Sequence, residues 1–170
     1  MRHDLAGLQR LARYKSIWGD NPTASPDKRA YKVSYNRPFG TRDGIGTYAG
    51  PQDFVFSAEY AAIRWLERNG YDVAYISSVD AGPGNAQLTN YKVFMSVGHD
   101  EYWSGDMRAN IENARDAGVH LIFMRANEVY WKTRWEADSN GTPNRTLVCY
   151  KETRDAKKID PSPQWTGTWC

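Results

Sequence analysis

The chain has 170 residues, 41% of them hydrophobic and 25% charged, enough for one domain with a real core and too few for two comfortable ones. A formal charge of +2, with no long run of Lys or Arg, excludes a nucleic-acid footprint built on charge, and Lys157-Lys158 reads as a solvated pair. No apolar stretch approaches the ~18–20 residues of a membrane span.

The first 29 residues carry no clear element beyond the helical spacing of Leu5, Leu8 and Leu11-Ala12, and Pro22 and Pro26 mark an irregular stretch. Met1-Arg2-His3-Asp4-Leu5-Ala6 lacks the apolar core of a signal peptide, so the compartment, cytoplasmic or exported, stays open. From residue 30 on, the pattern is that of an α/β domain. Tyr31 to Tyr35 alternates and predicts a strand, stopped by Asn36-Arg37-Pro38. Gly40, Gly44, Gly46 and Gly50-Pro51 predict a long loop. Ser57 is a plausible N-cap for a helix that passes Ala62, Trp65 and Leu66 and ends at Gly70. A short strand, Tyr71 to Ile76, is expected next, then a loop around Gly82-Pro83-Gly84. Tyr91 to Val97 is a near-continuous apolar run, the pattern of a strand covered on both faces. A second helix carries Met107, Ile111 and Ala114 on one face and stops at Gly118; Val119 to Met124 and Thr146 to Tyr150 read as further strands. This alternation predicts a doubly wound, mostly parallel sheet. Seven Trp and eleven Tyr suit a ligand pocket or a sugar-binding cleft, but also a core. Cys149 and Cys170 are read as unrelated thiols, although an oxidising compartment would let them pair.

In such a sheet ligands lie beyond the carboxyl ends of the strands. That rule selects Tyr35-Asn36-Arg37, Gly98 to Trp103, and Ala126-Asn127-Glu128. His99 and Glu101, two apart in extended backbone, can face one site while Asp100 faces elsewhere. An imidazole and a carboxylate there suit metal ligation or acid–base chemistry; otherwise His99 caps the helix and Glu101 complements its dipole. Tyr35 is a phenolate ligand, a proton donor or a packing residue, and Asn127 either orients a substrate carbonyl or satisfies a turn. There is no Gly-x-Ser-x-Gly elbow, no dinucleotide or phosphate loop and no Cys-x-x-Cys, so a hydrolase here would need metal-activated water rather than a covalent nucleophile.

Four blocks in order, Lys32-Val33-Ser34-Tyr35-Asn36-Arg37-Pro38-Phe39, Ile63 to Val73 (with Trp65-Leu66-Glu67-Arg68-Asn69-Gly70-Tyr71), Ser96-Val97-Gly98-His99-Asp100-Glu101-Tyr102-Trp103-Ser104 and Asn127-Glu128-Val129-Tyr130-Trp131, resemble the C-terminal family of the N,N-dimethylformamidase large subunit. The resemblance covers about Ala30 to Trp169. It implies a flavodoxin-like fold related to the class I glutamine amidotransferases and hydrolysis of a small amide at a mononuclear iron(III) held by two tyrosines and a glutamate. Glu101 matches the glutamate ligand, His99 the nearby histidine and Asn127 the asparagine; Tyr35 and Tyr60 are the tyrosine candidates. A small subunit or a second copy is the implied protein partner. Relatives carry a tyrosine-bearing segment upstream that Met1 to Asp20 lacks, and the chain stops within the aromatic stretch Gln164 to Trp169. A piece of a longer protein, inactive as it stands, is therefore expected. The competing expectation is a non-catalytic, carbohydrate-interacting module of a large exported protein.

Overall fold

The computed structural model describes residues 30–36, 59–98, 100–124, 127–155 and 158–169. They fall into two compact units, one drawn from 1–35 and 133–168, the other from 36–132 together with Trp169.

In the 36–132 unit the first element is helix α1 (Tyr60–Arg68), preceded by Glu59. Ala62, Ile63 and Leu66 give it an apolar stripe, yet it buries no residue. A four-residue helix, α2 (Ser78–Ala81), follows Ser77, whose hydroxyl accepts the Asp80 N–H. Strand β2 (Val93–Val97) leads through Gly98 to β3 (Tyr102–Ser104), which runs directly into helix α3 (Gly105–Asp116). Ser104 is the residue that caps α3, its hydroxyl accepting the Met107 N–H at 3.2 Å. Met107, Ile111 and Ala114 recur at helical spacing and form the buried face. Strand β4 (His120–Met124) then lies parallel to β2, with Val93 opposite His120 and Val97 opposite Met124. Parallel neighbours cannot be joined by a tight turn, and α3 supplies the crossover. Phe94, Trp103 and Val119 close the core against α3, with the Phe94 and Trp103 rings edge to face at 6.2 Å.

The other unit is built on β1 (Lys32–Ser34), β5 (Trp131–Glu136, whose first two residues count with the 36–132 unit) and β6 (Thr146–Val148), followed by the short helix α4 (Glu152–Asp155). β6 pairs antiparallel with both β1 and β5, Val148 facing Lys32 and Arg134. The β5–β6 hairpin turns on Asp138, whose carboxylate accepts the N–H groups of Asn140 and Thr142 at 2.9 Å each, and on Gly141 at φ +82°. Beneath the sheet, Arg134 holds Asp160 with two bonds of 2.5 and 2.9 Å and also binds Glu136. Thr166 donates to Asp160 and accepts the Tyr150 N–H. Glu152 accepts the N–H groups of Ile159 and Asp160. These bonds tie segment 158–168 to the strands in place of a large apolar core. Cys149 is buried here, and Cys170 lies outside the described residues.

A doubly wound, mostly parallel, flavodoxin-like sheet is not what forms. The strand order is β1-β6-β5-β3 in one sheet, and β2-β4 makes a separate parallel pair. Two causes account for the difference. β2 and β4 pair through the crossover helix α3, whereas β5 and β6 are joined by residues 137–145 turning on Asp138 and Gly141, which dictates an antiparallel pair. Tyr71 to Ile76, expected as a short strand, has neither helix nor strand structure and exposes Tyr71, Tyr75 and Ile76. The expected loop at 40–51, the N-cap Ser57 and the first 29 residues lie outside the described residues. Among the described residues no helix is long and apolar enough to cross a membrane.

Candidate active site

Two connections of the 36–132 unit meet at its candidate site. One is Gly98 to Glu101, between β2 and β3; the other is Asn127 to Tyr130, between β4 and β5. Their backbones are joined where the Val129 N–H donates to the Asp100 carbonyl at 3.0 Å and the Trp131 N–H to the Glu101 carbonyl at 2.7 Å. The second connection is strained: Asn127 and Val129 have φ of +70° and +55°, ordinary for Asn and rare for a β-branched residue. Val129 is held there by its bond to Asp100 and by packing on the apolar core.

Glu101 is buried, with 5% of its surface exposed, and its Oε1 lies 3.4 Å from the Asn127 Nδ2. It does not serve the helix dipole, since Ser104 caps α3 and Asp106 occupies the first turn. Asp100 turns to the Ser96 hydroxyl, which donates to it at 3.0 Å. Burial pushes its carboxyl above the ordinary carboxylate range; Ser96 and the neighbouring Trp103 indole pull it down, and the charge of Glu128 pushes it up again. The Trp103 N–H is itself buried without a hydrogen bond of ordinary geometry. Glu59, at the start of α1, is raised by burial and then by the charge of Asp100. Glu128 holds its Oε1 away from solvent with no hydrogen-bond partner among the described residues.

Of the expected site residues, the structure brings Glu101 and Asn127 together. Tyr60 opens α1, about half exposed, next to the Glu59 that feels Asp100. Tyr35 belongs to the other unit, where its ring stands edge-on to Trp135 at 5.8 Å and its N–H donates to the Arg145 carbonyl. His99 lies outside the described residues. Glu59, Ser96 and Glu128 are additions to the expected set. Glu128 was signalled only by its place beside Asn127; nothing in the sequence distinguishes Glu59 or Ser96 from solvated residues. Among the described residues no three His, Cys, Asp or Glu side chains gather as a metal site.

No curated protein matches the chain. A family model described as N,N-dimethylformamidase beta subunit-like, C-terminal, matches residues 10–170. A match over nearly the whole length, carrying Glu101 and Asn127 at facing strand ends, shows that the chain belongs to this N,N-dimethylformamidase beta subunit-like family.

Proposed function

We propose that the chain is an amide hydrolase acting on a small amide, with its site at the Glu101–Asn127 junction. The observation that carries this reading is a buried carboxylate and a carboxamide at 3.4 Å, at facing strand ends in a chain of the dimethylformamidase-like family. Asn127 is the proposed group that orients a substrate carbonyl, and His99 is the proposed proton-handling group. Iron(III) is the proposed metal. Glu101 would be one ligand and Tyr60 a phenolate donor, because carboxylate and phenolate oxygens suit a hard cation. Bound iron would supply Lewis acidity, polarising a carbonyl and lowering the pKa of water. The test compares iron content and formate release from formamide for the wild type and Glu101→Ala. The expected result is iron bound by the wild type, with both iron and turnover lost in the variant. Formate release that is equal in the two proteins would remove Glu101 from the site.

A second reading, carbohydrate binding, is favoured by one surface feature. Trp65 and Tyr71 stack at 5.4 Å, and both are more than half exposed. Calorimetric titration with a soluble glucan oligosaccharide tests it. Heat of binding that disappears in Trp65→Ala supports that reading, and no heat with the wild type removes it.

A further inference from the structure

An asparagine followed by glycine can cyclise on its own backbone, and the chain holds this pair twice, at Asn69-Gly70 and Asn140-Gly141. The two backbones are closely matched. Both asparagines are exposed, both glycines have left-handed backbone (φ of +73° and +82°), and nothing lies within 4 Å of where a side chain on either glycine would start. Each glycine N–H donates to a carbonyl at 3.0 Å, Gly70 to Glu67 and Gly141 to Asp138. The asparagine side chains differ. Asn69 Nδ2 donates to the Trp65 carbonyl at 2.7 Å, which ties its carboxamide back over the end of α1. The Asn140 carboxamide makes no hydrogen bond to any described residue, and Asp138 engages only its backbone N–H, at 2.9 Å. Asn140 also sits at the tip of the β5–β6 hairpin, where residues 139–143 are all exposed and leave its side chain room to swing.

We propose that Asn140 is a site of spontaneous deamidation, a modification that Asn69 resists. The Gly141 nitrogen gives up its proton to water and bonds to the side-chain carbonyl carbon of Asn140. The bond from that carbon to the amide nitrogen breaks, and ammonia leaves with a proton from solvent. Water then opens the cyclic imide. Opening at one carbonyl gives aspartate; opening at the other gives isoaspartate, whose main chain runs through the former side chain. The hairpin registers each stage. An imide nitrogen carries no hydrogen, so the Gly141 bond to the Asp138 carbonyl is lost when the ring closes. Isoaspartate then lengthens by one carbon a turn in which the N–H groups of Asn140, Gly141 and Thr142 all converge on Asp138. Either product sets a new carboxylate close to that of Asp138.

The experiment incubates the full chain at mildly alkaline pH, folded and in urea, and follows both sites by peptide mass spectrometry. Isoaspartate is counted by isoaspartyl methyltransferase labelling, with Asn140→Gln as the control, because glutamine closes the larger ring far less readily. In the folded chain Asn140 should convert roughly 3–10-fold faster than Asn69, the worth of the one hydrogen bond that Asn69 has to break first. In urea, where that bond is gone, the two rates should converge, and methyl labelling of the folded chain should fall in Asn140→Gln. An Asn140 that stays intact, or converts no faster than Asn69 in the folded chain, overturns the proposal. A difference that persists unchanged in urea would trace the selectivity to the flanking sequence and overturn its assignment to the fold.

Discussion

Asn127 shows how a single residue reconciles backbone and chemistry. Its φ of +70° is one that few side chains tolerate, and its Nδ2 reaches the Glu101 carboxylate. Glycine accepts the same backbone without strain, so Asn127→Gly removes the amide and little else. The variant should melt within a few degrees of the wild type, yet lose ~100-fold or more in kcat/KM on a small amide, the scale of losing one preorganised hydrogen-bond donor. Circular dichroism and an initial-rate assay check the two halves, and unchanged turnover would dismiss Asn127 from the site. That Glu101 and Asn127 meet was legible in the sequence because polar side chains beyond strand ends stand out against apolar runs. Glu128 and Glu59 were not, since burial of a carboxylate depends on which loop folds over it. Asp100 was read as facing away from Glu101, and its side chain does turn to Ser96. Its charge is nevertheless felt by Glu59.

The elements differ in what holds them. Helix α3 buries Met107, Ile111 and Ala114 and has the Ser104 cap, whereas α1, with its own apolar stripe, buries nothing. A nine-residue helix gains little stability from its own hydrogen bonds. Backbone amides of α1 should therefore exchange with solvent ~100-fold or more faster than those in the middle of α3, as measured by hydrogen-exchange mass spectrometry. Comparable protection in both helices would mean that α1 is packed after all. Ser104→Ala should cost about 0.5–2 kcal/mol in urea unfolding by orphaning the Met107 N–H. Strands β2 and β4 and helix α3 could be read from sequence because period and length both spoke for them. Strand β1 was read too, but its partner was not, because pairing is decided elsewhere. The turn Asp138-Ser139-Asn140-Gly141 makes β5 and β6 a hairpin, and β1 adds to the β6 edge. Asn-Gly between strand-like runs was a usable hairpin signal. Trp131 to Glu136 was missed although Trp131, Thr133 and Trp135 alternate with Lys132, Arg134 and Glu136, the period of an antiparallel strand.

At the scale of the whole molecule, charge burial sets the response to acid. In the unit containing β1, β5 and β6, burial alone would raise the Asp160 carboxyl, but hydrogen bonds from Arg134, the Ser162 N–H and the Thr166 hydroxyl outweigh it and hold it below the ordinary range. Glu136 is likewise lowered, burial being overcome by Lys32 and Arg134. Carboxyls depressed in the folded state add stability that is present above their unfolded pKa of ~4 and is lost as pH falls through the folded values. Arg134 is the common partner, with a side chain only 7% exposed against 0% for Asp160. Removing it strands a buried carboxylate, so Arg134→Met should cost about 3–5 kcal/mol at pH 7. Part of that penalty is the charge on Asp160 itself, and acid neutralises it. The gap between wild type and variant in urea unfolding should therefore shrink as pH is lowered from 7 towards 3, even as the wild type itself weakens. A gap of constant size across that range would mean that Arg134 contributes by packing on Tyr150, whose ring lies 5.9 Å away, and not by its charge.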